Sequence, residues 1–378
     1  MGKHFILKKL KLPFKGFGLW VLLLLVNPFK GNAQNILQKI DSLLLSKYPS
    51  SEPGGTFLIA HKSQILFQKA YGMADLERDV ALTTKSVFEI GSMTKQFTAA
   101  AILLLASEGK LSLDDPLTKY IPDYPTNDKV ISIHHLLTHT SGIKSFTSMK
   151  TINTIAQQEL SPSELINFFK NEDADFEPGE AFKYNNSGYV ILGQIIEQVS
   201  GISYADFILE RIFKPLEMKN SYYADASKII KNRASGYHFK EARGFVNKNQ
   251  ISYSIPYASG SLMSTTADLL KWNTAIHQNQ LLPAHITSLA FQNYTLNSGD
   301  YIDYGYGWHL KDYDGLKSYE HGGSIFGFKS MGVYLPDIEI YVIGLTNCDC
   351  NSPTQITRDI AILVAKEMRK SALEIDQK

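Results

Sequence analysis

The chain has 378 residues, with 38 Lys and Arg against 37 Asp and Glu, 44% hydrophobic residues and two cysteines. That is enough for a large core, and a near-zero charge without a basic stripe excludes a nucleic-acid binder as the first reading. Its cationic excess is confined to the start. Lys3, Lys8, Lys9, Lys11 and Lys15 precede an apolar run from Phe17 to Val26 and the small residues Gly31-Asn32-Ala33. This is the layout of a secretory signal with cleavage near residue 33. The run is shorter than the roughly 20 residues of a spanning helix, so no stable membrane anchor is expected. Without residues 1–33 the chain keeps 345 residues, 32 basic and 37 acidic, a net charge near −5.

After the signal, Ile36, Leu37, Ile40, Leu43 and Leu44 make a helical stripe across 34–48. Apolar runs at 56–60 and 64–70 around His61-Lys62-Ser63 predict a β-hairpin. The C-terminal end mirrors this. Residues 330–335 and 339–345 read as strands about Pro336-Asp337, and 353–371 as an amphipathic helix. Strands and a helix at both ends predict one sheet built from the two ends of the chain (about 34–90 and 255–378). A mostly helical part, about 91–254, is inserted between them. No Pro, Gly or Ser linker separates the two parts, which predicts a shared cleft within a single domain.

Between Phe88 and Leu105 the sequence passes from an apolar lead-in through Gly91-Ser92 into a helix that runs to Gly109. Ser92 and Lys95 are three apart, hence on one helical face. An amine held among Phe, Ile, Leu and Ala loses hydration and becomes a base, and unpaired N–H groups at a helix start can receive an oxyanion. The same pattern also describes an N-cap serine followed by a solvated lysine. Tyr184 and Asn186 lie in the loop from Pro178 to Gly188, before the stripe Leu192, Ile195, Ile196, Val199 that stops at Gly201. A phenol beside an ammonium can exchange protons more readily, and an Asn amide can accept from Lys95 and donate to a substrate carbonyl. The alternative is a packed Tyr and a helix-capping Asn. His321-Gly322-Gly323-Ser324 precedes the last strand pair. It reads as a turn, or as a strand edge where glycines admit a ligand backbone and an imidazole, if protonated, attracts a carboxylate.

Cys348 and Cys350 are separated by Asp349 alone, and a bridge across one residue is strained, so no disulfide framework is expected. No His or Cys lies near them to complete a metal site.

Taken together and in order, Ser92-x-x-Lys95, Tyr184-x-Asn186 and His321-x-Gly323 resemble the three signatures of the serine beta-lactamase and penicillin-binding-protein superfamily, in its class C-like branch. The likeness extends to 108–116, 135–142 and 304–308, and covers about residues 50–365. It implies an α/β (α+β) fold, an antiparallel sheet flanked by terminal helices with a helical part inserted. It also implies an acyl-enzyme formed on Ser92, with Lys95 and Tyr184 sharing acid and base duty. Asn186, His321 and Gly323 would line the substrate, and the N–H groups of Ser92 and Ser324 would form the oxyanion hole. No metal or organic cofactor is implied. The implied substrate is a small molecule or peptide, peptidoglycan-derived or a β-lactam among them, and the implied location is periplasmic or secreted. Beta-lactamases of this branch carry Lys where this chain has His321, which favours D,D-peptidase, D-amino-acid amidase or esterase chemistry over a cephalosporinase. A non-catalytic penicillin sensor or scaffold is the competing reading. His139 and His309 read as structural, the first closing a helix and the second alternating on a strand.

Overall fold

The computed structural model describes residues 29–376. The expected export signal therefore lies largely outside the described residues. Among those described, no helix is long and apolar enough to cross a membrane.

A six-stranded sheet is assembled from both ends of the chain. Helix α1 (Phe29–Lys47) leads into strands β1 (Gly55–His61) and β2 (Gln64–Tyr71). Helices α2 (Thr94–Ser107), α3 (Asn186–Ser200) and α4 (Thr266–His277) come from the middle. Strands β3 (His309–Asp312), β4 (Lys317–Ile325), β5 (Phe328–Leu335) and β6 (Ile340–Thr346) precede the closing helix α5 (Thr354–Asp376). The strand order is β3-β4-β5-β6-β1-β2, antiparallel throughout. The joint between the two ends is β1 against β6, with Leu58 opposite Ile343. This is the mixed helix and antiparallel-sheet architecture expected from the sequence.

Residue alternation distributes the two faces. Phe57, Ile59, Val333, Ile340 and Val342 point to the outer layer, where Ile40, Leu44 and Tyr48 at the N-terminal end meet Ile356, Ile360 and Val364 of α5. Leu58, Ala60, Tyr341, Ile343 and Leu345 point inward to a larger core shared with α2, α3 and α4. Because both faces are covered, β1 and β6 read as near-continuous apolar runs rather than as alternating ones. Helix α2 is buried along its whole length from Thr94 to Leu105. A helix apolar on every side belongs at the centre of a fold. It stacks Phe97 on Trp272 of α4 at 4.3 Å, while the Trp272 indole donates to Gln96 Oε1 at 3.0 Å.

Contrary to the sequence expectation, Cys348 and Cys350 are joined in a disulfide. Steric strain alone does not forbid this ring once the flanking backbone is held. Asn347 is buried and donates to the carbonyls of Met73 and Ser235, and the Asp349 N–H donates to the Tyr237 carbonyl.

Candidate active site

Ser92 sits in a single 3-10 turn, Gly91–Met93, set directly on the N-terminus of α2. Gly91 makes this turn possible, since its φ of +52° lies in the left-handed region. The turn packs against the edge of β4. Strand β3 pairs with β4 only as far as Glu320, which leaves 321–325 without a strand on that side. Gly323 is required there, because a Cβ at that position would lie 1.9 Å from the Ile90 carbonyl oxygen. Ser330 Oγ donates to the same carbonyl at 2.8 Å and ties β5 to the turn. Two glycines with opposite tasks thus bring the Ser92 and Ser324 backbones together.

Lys95 has no exposed surface. Burial holds its amine well below the ordinary lysine range. Its Nζ donates to Asn186 Oδ1 at 2.7 Å and to the Ser259 carbonyl at 2.9 Å, and stands 3.3 Å from Ser92 Oγ. A neutral amine has two hydrogens and one lone pair. With both hydrogens taken by Asn186 and Ser259, the lone pair is left for the Ser92 hydroxyl. The Ser259 segment is itself clamped to α2 by the residue just before Lys95 and by the one a turn after it. Thr98 Oγ1 donates to the Ala258 carbonyl at 2.6 Å, and Thr94 Oγ1 accepts from the Leu262 N–H at 3.1 Å.

Asn186 is the first residue of α3, and Asn185 is its N-cap, accepting from the Gly188 N–H at 2.9 Å. The asparagine pair divides its work: one residue starts the helix and the other faces Lys95. Asn186 Nδ2 donates to Thr147 Oγ1 at 2.9 Å, which fixes Oδ1 toward the lysine. Gly201 ends the helix with φ +76°, as the sequence indicates.

Tyr184 enters the cleft differently from expectation. Its hydroxyl has no hydrogen-bond partner among the described residues, and Lys95 Nζ lies 4.8 Å from its ring centroid, over the face rather than at the oxygen. Burial pushes the phenol above its usual range, and the neighbouring Ser92 hydroxyl pulls the other way. Easier ionisation of Tyr184 is therefore not what this setting provides.

His321 also differs. It lies inside strand β4 rather than in a turn, and is 2% exposed. Its Nδ1 donates to the Gly322 carbonyl at 2.6 Å, so Nε2 accepts from the Tyr304 hydroxyl at 3.1 Å. Burial, then His309 and Lys95, hold the imidazole well below the ordinary histidine range. A neutral ring with both nitrogens occupied cannot seize a carboxylate as a cation. The ring closes a wall of His139, Tyr184, Tyr304 and His309, with His309 5.1 Å and Tyr184 6.1 Å from it. His139 and His309 are both held down by burial, His309 to about 4. The histidine at 139 has φ +60°, and its Nδ1 accepts from the Asn185 N–H at 3.1 Å. It orients the loop bearing Tyr184 and Asn186.

Ser92, Asn186 and Ser324 open onto one cavity of about 420 Å³, walled by Phe146, Ile152, Ile251, Ile255 and Phe326. Sequence reasoning missed the Ser259 carbonyl, since a main-chain oxygen has no residue signature. It also missed the apolar wall, whose members are scattered over nearly two hundred positions. Among the described residues there is no His, Cys, Asp and Glu cluster fit to hold a metal ion.

Comparison with known proteins gives a consistent picture. The Beta-lactamase family model matches residues 44–367. A penicillin-binding protein of Bacillus subtilis (strain 168) is 30% identical over 332 residues, 84% of this chain and 72% of the relative. The octameric penicillin-binding protein homologue from Pyrococcus abyssi superposes with a TM-score of 0.76 at 30% identity, over 88% of this chain and 76% of that one. The D-amino acid amidase from Ochrobactrum anthropi SV3 has a TM-score of 0.74 over 91% of this chain and 99% of its own, and at 24% identity shares the fold.

Proposed function

The chain belongs to the Beta-lactamase family, within the serine beta-lactamase and penicillin-binding-protein superfamily, and from that premise we propose that it is an exported serine hydrolase forming an acyl-enzyme on Ser92 with an amide or ester substrate. The observation that carries this is the coordination of Lys95. Two acceptors bond its hydrogens, burial disfavours its charged form, and Ser92 Oγ stands 3.3 Å from its Nζ. A general base must be uncharged and within reach of the proton it takes, and this setting favours both.

In the first step Ser92 Oγ bonds to the substrate carbonyl carbon while its proton passes to Lys95 Nζ. The carbonyl oxygen gains negative charge and is received by the main-chain N–H groups of Ser92 and Ser324. Collapse breaks the bond to the amine or alcohol, which leaves with a proton. Tyr184 is suited to relay that proton, because its hydroxyl is protonated and uncommitted. Water then attacks the ester on Ser92 by the reverse route and releases the acid. Asn186 aligns the lysine, and its amide faces the cavity that takes the substrate.

The depressed basicity of His321 favours substrates with no carboxylate to capture, as in D-amino-acid amidase or esterase chemistry, over β-lactams and over D,D-peptides that end in a free carboxylate. The test is a fluorophosphonate label on the wild type and on Ser92→Ala. Labelling of the wild type and none of the variant, with loss of p-nitrophenyl ester turnover by several orders of magnitude, is the expected result. Equal labelling of the two proteins removes Ser92 from the mechanism.

A further inference from the structure

The wall of the cavity contains a single carboxylate, Asp349, beside the turn that joins β4 to β5, where the Gly327 N–H stands 3.5 Å from its Oδ2. It is the residue enclosed by the Cys348–Cys350 disulfide, and its backbone N–H is bonded to the Tyr237 carbonyl at 3.2 Å. Its Oδ2 lies 2.6 Å from His238 Nδ1. The tautomer of that histidine follows from its other nitrogen. His238 Nε2 accepts from the Asn249 main-chain N–H at 3.0 Å, so the ring's one proton is on Nδ1 and is donated to Asp349. A neutral imidazole orients the carboxylate without cancelling its charge. Among the described residues no lysine or arginine lies within ion-pair distance of Asp349. The nearby Lys329 instead donates to Ser324 Oγ at 2.7 Å. Asp349 Oδ1 has no hydrogen-bond partner among the described residues, and the residue is partly exposed on the cavity whose apolar wall is Phe146, Ile152, Ile251, Ile255 and Phe326.

A fixed, uncompensated carboxylate at the border of an apolar cavity selects for a cation attached to an apolar body. We propose that Asp349 is a specificity-determining residue that binds the free ammonium group of the substrate. The substrate class is then an amide or ester of an amino acid or short peptide with an unblocked amine and an apolar side chain. The ammonium donates to Oδ1 of Asp349, the side chain fills the aromatic and aliphatic wall, and the carbonyl carbon is presented to Ser92. This rests on the proposed reaction at Ser92 for its catalytic meaning, while the binding itself does not depend on it. The cavity volume of about 420 Å³ is in the lower part of the roughly 300–1,000 Å³ range of small-molecule sites, which suits one or two residues rather than a polymer.

The test separates binding from reaction. Calorimetry on the full chain carrying Ser92→Ala compares phenylalanine amide, each enantiomer separately, with its N-acetylated counterpart. At least one free-amine enantiomer is expected to bind tenfold or more tightly than its acetylated form, the scale of a hydrogen bond between charged groups. Adding Asp349→Asn should abolish that preference while the acetylated amide changes less than about twofold. Asp349→Glu, which keeps charge and a partner for His238, should retain part of it. Equal binding of free and acetylated amides, equal weakening of both by Asp349→Asn, or no measurable binding of either free amine overturns the assignment. If Ser92 is not the reacting group, the labelling experiment fails while this preference persists, so the two readings fail separately.

Discussion

Asn186→Asp probes the central pairing of the site with a change of one atom. In the native protein the Asn186 carbonyl accepts from Lys95 at 2.7 Å, with burial opposing a charge on the lysine. A carboxylate at that distance would favour the ammonium form. With an effective dielectric of about 20, two charges 2.7 Å apart attract by about 6 kcal/mol. Water at the cavity mouth reduces this, and half of it raises the lysine by about two pH units. The sign is fixed by chemistry. The amine is active only when deprotonated, so the acylation rate rises with pH through the Lys95 titration, and Asn186→Asp moves the rise to higher pH. At neutral pH the variant should acylate about a hundredfold more slowly, with much of the rate regained in alkaline buffer. Asn186→Ala removes the bond without adding charge, and should lower the rate evenly across pH. The assay is the rate of fluorophosphonate labelling or of p-nitrophenyl ester turnover from pH 5 to 10. A profile for Asn186→Asp that parallels that of Asn186→Ala would refute the assignment of Lys95 as the base.

Gly323→Ala should separate β4 from the Ser92 turn, because its methyl would meet the Ile90 oxygen at 1.9 Å; overpacking of this kind costs about 1–3 kcal/mol, read as a lower Tm together with loss of labelling. His321→Lys places an ammonium beside buried His309 and Lys95; kcat/KM should fall alike for a neutral ester and a carboxylate-bearing substrate, and selective improvement of the anionic one would show that position 321 handles charge. Acid should unfold the protein early. His309 is held to about 4 while the unfolded chain binds that proton near pH 6.5, so its contribution to stability is lost as pH falls from about 6.5 to 4, about 3 kcal/mol in all. Urea titrations at pH 7, 5.5 and 4.5 should show a shallower decline for His309→Phe than for the wild type, and identical slopes would remove His309 from the acid response.

What could be read from the sequence follows the range of the interactions. Helix α3 was legible in its periodic stripe and at its Gly201 end, while its start at Asn186 lay inside what the sequence showed as a loop to Gly188. The edges of β1, β2 and β5 were legible within a few residues for the same reason. Ser92, Lys95, Tyr184, Asn186 and His321 were named as candidates through their motif spacing, and the fold brings them to one place. Spacing does not report environment. Tyr184 faces the lysine with its ring rather than its oxygen because the rings of His139 and His309 pack against it. The depressed basicity of His321 comes first from its burial, and its Nε2 is taken by Tyr304, which lies 17 residues away in sequence. The Cys348–Cys350 ring was missed because its support comes from Asn347 and Tyr237, whose hydrogen bonds span more than a hundred residues.

The pairing of β1 with β6 also sets a schedule for the growing chain. His61 and Thr346 bound that joint, about 285 residues apart. At a ribosomal rate of about 5–20 residues per second, the hairpin β1–β2 waits roughly 15–60 s for its other neighbour. Throughout that interval one side of β1 offers unpaired backbone and a buried-type apolar surface, the condition in which strands pair with the wrong partner. The exposed state of this protein is therefore its own nascent form, and a holding factor or an export route that keeps the chain extended would suit it. The finished fold also contains the remedy. α1 and α5 pack in the same outer layer, so joining the ends there and opening the chain in a surface loop of the helical part would leave only α5 and α1 between β6 and β1 and bring the most distant contact much closer in sequence.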